Sequence, residues 1–95
     1  MTAKLEIVPE RDVKEVLRRY ITENFLSRAG LEGLDDTDSL MEKGIIDSTG
    51  VLELLGFIEE EFTIKVADKE VIPDNLDSLE KLTSFIQRKL AHAGQ

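Results

Sequence analysis

From Glu10 to Ala29, apolar residues recur at the spacing of one face of an amphipathic helix. The residues on this face are Val13, Val16, Leu17, Tyr20, Ile21 and Phe25. Pro9 suits the start of such a helix, and Gly30 suits the position just after its last turn. The pattern therefore predicts a first helix about 30 Å long.

A long polar segment, from Leu31 to Ile46, follows the predicted first helix. Its Asp and Gly residues are typical of a loop. Within it, Ser39 and Glu42 have the spacing of a capping box, so we expect a short helical turn to begin there. A loop of this length in a small domain is usually functional or disordered.

Two further helices are predicted in the second half of the chain. One runs from Ser48 to Phe62 with Asp47 as its N-cap, and its apolar face consists of Val51, Leu54, Leu55, Ile58 and Phe62. The other runs from about Ser78 to Ala91, and Asp77 with Glu80 forms its start signal. Its apolar face consists of Leu79, Leu82, Phe85, Ile86 and Leu90.

The segment between these two helices is harder to assign. Apolar and polar residues alternate over Thr63–Val66 as in a strand, but only Leu5–Val8 is available as a partner, so we expect no sheet. A short helical turn is expected within 68–77. We therefore predict an all-α fold, a small bundle of three main helices plus a short helical turn. A single domain would span 1–95, with an ordered core of about 9–91.

Composition excludes most catalytic chemistry. The chain has no cysteine, so disulfides, thiolate nucleophiles and cysteine-based metal sites are absent. His92 is the only histidine and lies near the C-terminus, so no Ser-His pair is expected on a rigid element. No glycine-rich phosphate loop occurs, and the acidic loop fails the EF-hand pattern because Met41 stands where glycine is required. We predict that the protein is not an enzyme.

The charge of the chain is concentrated in its middle. The net charge is −8, and the 32–62 stretch alone carries ten acidic residues against one base, Lys43. This distribution argues against nucleic-acid binding and suggests docking of basic partners. The simpler interpretation is a solvated acidic face that only keeps the protein soluble. No apolar run is long enough to span a membrane and no signal peptide is evident, so we expect a cytoplasmic monomer.

Two Asp-Ser pairs, Asp47-Ser48 and Asp77-Ser78, each precede a predicted helix. A first-turn serine exposes its hydroxyl near backbone N–H groups that favour an attached phosphate. The helix after Ser48 has no basic residue and follows an acidic loop, whereas the helix after Ser78 contains Lys81, Arg88 and Lys89. For both serines the simpler hypothesis is a capping residue with no further role.

The stretch LMEKGIIDSTGVLELLGFIEEEF, at 40–62, resembles the acyl carrier protein family, including the related carrier domains of peptide synthesis. The resemblance extends over most of the chain. In that family the serine of the Asp-Ser motif carries 4'-phosphopantetheine, which implies attachment at Ser48. Ser78 matches the family's common Asp-Ser-Leu wording better, but 17 residues follow it, whereas 47 follow Ser48. Only Ser48 leaves room for a recognition helix and the elements that close the bundle.

The resemblance also implies partners. The thiol of the arm would hold acyl or aminoacyl groups as thioesters. The protein would then meet a phosphopantetheinyl transferase, an acyl- or aminoacyl-adenylating ligase and downstream acyl-consuming enzymes. By analogy, carboxylates would contact Arg and Lys of these partners, and Leu52 would be an exposed apolar contact. The implied partner-binding residues are Asp47, Thr49, Leu52, Glu53, Gly56, Glu59 and Glu60.

The residues around the Asp47-Ser48 pair favour a carrier of a specialised pathway over one of fatty-acid synthesis. The 44–49 stretch reads Gly-Ile-Ile-Asp-Ser-Thr, where fatty-acid members usually read Gly-Ala-Asp-Ser-Leu, and Gly56 replaces a larger apolar residue. This resembles carriers loaded by adenylating ligases, such as the D-alanine carrier or freestanding carriers of specialised biosynthesis. The alternative function is an acidic helical interaction module without a prosthetic group.

Overall fold

The structure, a computed structural model, describes residues 10–31 and 33–93. Its helices are α1 (Glu10–Ile21), α2 (Ser48–Phe62), α3 (Pro73–Leu76) and α4 (Leu79–Ala93). A π-helical turn, Thr22–Leu26, continues α1, and a 3₁₀ turn, Asp68–Glu70, precedes α3. The described ranges contain no strand, which confirms the all-α prediction of three main helices with a short helical segment between the last two.

The first helix is less regular than its apolar pattern predicts. Its α-helical part ends at Ile21, and the chain then continues through the π-helical turn to Gly30, whose φ is 76°. Asn24 donates its side-chain amide to the Tyr20 carbonyl over 2.9 Å. Such a side chain competes with the backbone hydrogen bonds of the helix. The predicted start at Pro9 and the segment Leu5–Val8 lie outside the described residues.

The core is shared by the main helices and the long loop. α4 packs against both α1 and α3. Each predicted helix face supplies buried residues, among them Leu17, Ile21, Leu54, Ile58, Leu82 and Ile86. The loop between α1 and α2 adds Leu34, Leu40, Ile45 and Ile46. This loop is therefore part of the core rather than an excursion over the surface.

Ionic contacts centred on Asp36 fasten the loop to two helices. Lys14 donates to Oδ2 of Asp36 over 2.8 Å, and Arg18 donates to Oδ1 and to the Leu34 carbonyl. From the other side, the Glu80 amide donates to the Asp36 carbonyl over 3.0 Å. The hydrogen bond from Lys14, with the charges of Lys14 and Arg18, holds the pKa of Asp36 below its ordinary value.

α2 ends in a turn that replaces the strand-like pattern of Thr63–Val66. Thr63 adopts φ 55° and its amide donates to the Glu59 carbonyl, as in a left-handed helix cap. The Val66 amide then donates to Oε2 of Glu59 over 2.8 Å. Because these amides bond back to α2, the segment is not available for a sheet.

The linker after that turn is held against α4. Glu70 accepts hydrogen bonds from the Ala67 amide, over 2.8 Å, and from Nζ of Lys89, over 2.9 Å. These two donors, in that order of importance, lower the pKa of Glu70. Nearby, Arg88 donates to Oδ1 of Asn75 over 3.1 Å. These contacts fix the approach of the chain to α3.

Candidate functional site

Ser48 occupies the first turn of α2 because Asp47 caps that helix. Asp47 has an extended backbone, and its Oδ1 accepts the Gly50 amide over 2.8 Å. This confirms the predicted N-cap. The Ser48 side chain is therefore not needed as the cap, and it is exposed.

The second Asp-Ser pair is arranged in the opposite way. Oγ of Ser78 accepts the Lys81 amide over 3.1 Å, and the residue is only 4% exposed. α4 begins at Leu79, so Ser78 is its N-cap. The prediction that Asp77 and Glu80 start this helix was wrong by one residue. Both Asp and Ser are good caps, and tertiary contacts of Asp77 decide between them.

Those contacts bind Asp77 to the loop between α1 and α2. Its Oδ2 accepts the Ser39 hydroxyl over 2.6 Å, and its Oδ1 accepts the Met41 amide over 2.9 Å. Its carbonyl accepts the Leu40 amide over 2.9 Å. Oγ of Ser39 also accepts the Glu42 amide over 3.1 Å, so the turn predicted at Ser39 is formed.

An apolar groove of about 440 Å³ opens beside Ser48. Among the described residues that line it, Ser48 and Asp77 are the only polar ones, and the apolar ones include Leu40, Ile46, Val51, Leu54, Val71 and Leu76. At its rim Met41, Leu52 and Ile72 are 49%, 69% and 43% exposed. Exposed apolar residues grouped in this way mark a binding surface rather than scattered surface hydrophobics. The exposure predicted for Leu52 is confirmed.

A second, more polar pocket of about 290 Å³ lies next to the start of α2. Asp47, Thr49, Gly50 and Glu53 line it together with Arg28 from the end of the first helical segment. Arg28 lies 3.8 Å from the Glu53 carboxylate. The pocket therefore places a base close to residues implied in partner binding, a feature with no signal in the sequence pattern.

Gly50 is a second residue that sequence reasoning missed. A Cβ at this position would lie 3.1 Å from a ring carbon of Phe25 and 3.2 Å from Cγ2 of Ile46. It would also lie 3.3 Å from Oδ1 of Asp47. The absence of a side chain lets the first turn of α2 pack closely on Phe25 while the cap forms.

Most of the residues implied in partner binding lie on the surface of α2. Thr49, Leu52, Glu53, Gly56 and Glu60 are exposed, as is Asp47 just before the helix. Ser48, Leu52 and Gly56 are spaced by four residues and so follow one line along the helix. Glu59 differs from them, because it is half-buried and holds the Val66 amide.

Two residues of the distinctive motif are internal. Ile45 and Ile46 are buried in the core, so they cannot contact a partner directly. Among residues 10–31 and 33–93, no group of three acidic, His or Cys residues is placed to hold a metal ion. None of the helices in these ranges has the length and apolar character required to cross a membrane.

Comparison with known proteins agrees with this arrangement. No model of a known protein family matches the chain. The chain is similar to the probable acyl carrier protein PigG of Serratia sp. (strain ATCC 39006), with 30% identity over 64 residues. The similarity covers 67% of this chain and 74% of that protein. With this coverage, an all-helical fold and an exposed serine at the start of α2, the chain belongs to the acyl carrier protein family.

Proposed function

We propose that Ser48 is the attachment residue for 4'-phosphopantetheine and that the protein carries acyl or aminoacyl groups as thioesters on this arm. Acyl carrier proteins are carriers rather than catalysts. One observation supports Ser48 above all others. Its hydroxyl is exposed because Asp47 caps α2, whereas the Ser78 hydroxyl is buried and caps α4.

The surroundings of Ser48 suit such a group. A phosphate on its oxygen would lie at the N-terminus of a helix of 15 residues, where backbone N–H groups and the helix dipole favour negative charge. The adjoining groove offers apolar contacts to what the arm carries. When bound, the arm supplies a thiol, which a chain without cysteine lacks.

The exposed side of α2 is the proposed docking surface for the phosphopantetheinyl transferase and for the enzymes that load and use the arm. α2 has no basic residue, and Glu53 and Glu60 project from it into solvent. Exposed carboxylates attract the Arg and Lys side chains of a partner, which speeds encounter and sets orientation. Leu52 adds an apolar contact at the rim of the groove.

We further propose that the loading enzyme is an acyl- or aminoacyl-adenylating ligase of a specialised pathway. Thr49 and Gly56 support this, because both are exposed where fatty-acid members usually present apolar side chains. A Cβ built on Gly56 would meet no atom within 4 Å beyond its chain neighbours and the backbone of its own helix, so packing does not require a glycine there. A partner surface explains the residue better than the core does.

The test is an intact-mass measurement after incubation with a broad-specificity transferase, magnesium and coenzyme A. The wild type, Ser78→Ala and the exposed-serine control Ser84→Ala should each gain one phosphopantetheine group, and Ser48→Ala should gain none. A Ser48→Ala protein that still gains the arm contradicts the assignment. If the wild type gains nothing, the alternative of an acidic interaction module without a prosthetic group is favoured.

A further inference from the structure

We propose that Asp77 is a positioning residue for the group carried on the arm. It holds the turn at 39–41 as one wall of the groove beside Ser48, and this wall shelters an apolar acyl group from water. The inference rests on the proposed attachment at Ser48 and adds to it a residue that lies 29 positions away in the chain.

Asp77, which lies between α3 and α4, holds the 39–41 turn through hydrogen bonds. Its carbonyl and both carboxylate oxygens accept hydrogen bonds from three successive residues, Ser39, Leu40 and Met41, over 2.6 to 2.9 Å. Hydrogen bonds to a carboxylate are stronger than neutral ones. Because Ser78 caps α4, Asp77 is not needed for the helix and is available for the loop.

The residues that Asp77 holds line the groove. Leu40 is almost completely buried, whereas Met41 is 49% exposed at the rim, and both line the groove together with Ser48. Among the described residues, every hydrogen bond from the 39–41 turn to the junction between α3 and α4 goes to Asp77. The volume, about 440 Å³, lies in the range of small-molecule sites.

The same hydrogen bonds make the groove suitable for an uncharged group. Asp77 is the only ionisable residue among the described residues of the lining, and both of its carboxylate oxygens already have donors. An apolar group can therefore fill the groove without leaving the Asp77 carboxylate unpaired. A charged group would be removed from water there and would find no partner for its own charge. The structure thus favours an apolar acyl group as the sheltered cargo.

Reactivity of the carried thioester separates positioning from mere stabilisation. The transferase moves hexanoyl- or acetyl-phosphopantetheine from the corresponding coenzyme A thioester to the Ser48 oxygen and releases adenosine 3',5'-bisphosphate. Hydroxylamine is then added. Its nitrogen attacks the thioester carbonyl, the hydroxamate forms and the arm's thiol is released, which intact mass follows. In the wild type the hexanoyl group should react more slowly than the acetyl group, because only the longer chain fills the groove.

Variants then test the hydrogen bonds of Asp77. Asp77→Ala should increase the rate at which the hexanoyl thioester reacts about tenfold, the factor expected when charge-assisted hydrogen bonds are lost. The rate for the acetyl thioester should not change. Ser39→Ala, which removes one donor, should lie between this variant and the wild type. Asp74→Ala is the matched control, since Asp74 is an exposed aspartate in α3, three residues before Asp77, and does not line the groove.

Equal reactivity of the hexanoyl and acetyl groups in the wild type overturns this inference, and so does an unchanged hexanoyl rate in folded Asp77→Ala. If Asp77→Ala does not fold, Ser39→Ala decides in the same way. Failure of the wild type to gain any arm is seen before hydroxylamine is added. That result overturns the proposed function and this inference with it, whereas altered reactivity concerns the inference alone.

Discussion

Gly50 donates its backbone N–H to Oδ1 of Asp47 over 2.8 Å, and this hydrogen bond makes Asp47 the N-cap of α2. At α4 the cap is the second residue of the Asp-Ser pair and not the first, because Oγ of Ser78 accepts the amide of Lys81. A cap must be either the aspartate or the serine of the pair. One helix therefore leaves a serine exposed, and the other leaves an aspartate available for a distant loop.

Asp47 is expected to have two separable roles, as a cap and as a surface charge. Asp47→Ala should lower the free energy of unfolding by about 1 kcal/mol, because the Gly50 amide loses its acceptor. Asp47→Asn retains an acceptor and should stay within about 0.5 kcal/mol of the wild type. Urea unfolding measures both values.

Transferase kinetics on the same two proteins test the charge. Both variants lack the Asp47 carboxylate, which the family resemblance implies in partner binding, so kcat/KM should fall in each. A normal kcat/KM for Asp47→Asn would show that the charge is not needed for docking. Equal stability losses in the two variants would contradict the cap.

The parts of this fold that depend on local spacing could be predicted from the sequence. The apolar face of α2 and its N-cap follow from residues within one or two turns of each other, and both are confirmed. The register at α4 could not be predicted, because Asp77 and Ser78 are equally good caps locally. The choice depends on Ser39 and Met41, which are 38 and 36 residues away.

In the candidate site, too, features that depend on contacts between distant residues could not be predicted from the sequence. Exposure of Leu52 was expected from the family resemblance, whereas the tight contact between Gly50 and Phe25 joins two elements separated by the long loop. Ile45 lies beside the motif in sequence and was grouped with it, but its side chain points into the core. Sequence proximity to Ser48 does not distinguish surface from core, because the chain changes direction just before α2.

Substitutions at Glu59 and Glu60 should differ in their effect on stability, although both residues are implied in partner binding. Glu59→Ala removes the acceptor of the Val66 amide and should cost about 1.5–3 kcal/mol, the range for a hydrogen bond to a charged group. Glu60→Ala, on an exposed side chain, should stay within about 0.5 kcal/mol. Chemical denaturation measures both variants, and Glu60→Ala is the control for Glu59→Ala. Equal losses of stability would contradict the role of Glu59 as the acceptor of the Val66 amide.

Asp36 should make stability depend on pH on the acid side. Its pKa is lowered in the folded protein by the hydrogen bond from Lys14 and by the neighbouring bases, so the unfolded chain binds its proton at higher pH. The stabilisation is present at neutral pH and is lost as pH falls below about 4, through the lowered pKa. The difference in unfolding free energy between wild type and Asp36→Asn should therefore shrink with acidification.

The exposed neighbour Asp35 supplies the control for that titration. Asp35→Asn should not reproduce the change in acid dependence, since no ion pair of Asp35 occurs in the described part of the chain. A constant difference between wild type and Asp36→Asn from neutral to acid pH would contradict the role of the Lys14 contact.

Docking on α2 should be assisted by charge. The double variant Glu53→Lys with Glu60→Lys should lower kcat/KM for the transferase, and the wild-type value should fall as salt is added, because exposed charges are screened. Glu15→Lys with Glu23→Lys, two exposed reversals outside α2, is the matched control for net charge. A folded double variant that is modified at the normal rate, with a normal salt dependence, would exclude α2 as the electrostatic surface.

Replacing Gly56 should stabilise the fold and weaken recognition by the loading enzyme. Gly56→Ala should raise the free energy of unfolding by about 0.5–1 kcal/mol, because alanine is the better helix former and a Cβ there meets no atom within 4 Å. If the position contacts a ligase shaped for glycine, the same substitution should slow loading from an acyl or aminoacyl adenylate. We also expect the wild type to be a poor substrate for a malonyl transferase. Gly56→Leu should slow loading by the ligase further and improve acceptance of malonyl groups, since each buried CH₂ is worth about 0.8 kcal/mol to a partner shaped for a larger side chain. Parallel assays with an adenylating ligase and a malonyl transferase measure both effects. Efficient malonylation of the wild type, without turnover by an adenylating ligase, would instead place the protein in fatty-acid synthesis and remove Thr49 and Gly56 as marks of a ligase-loaded carrier.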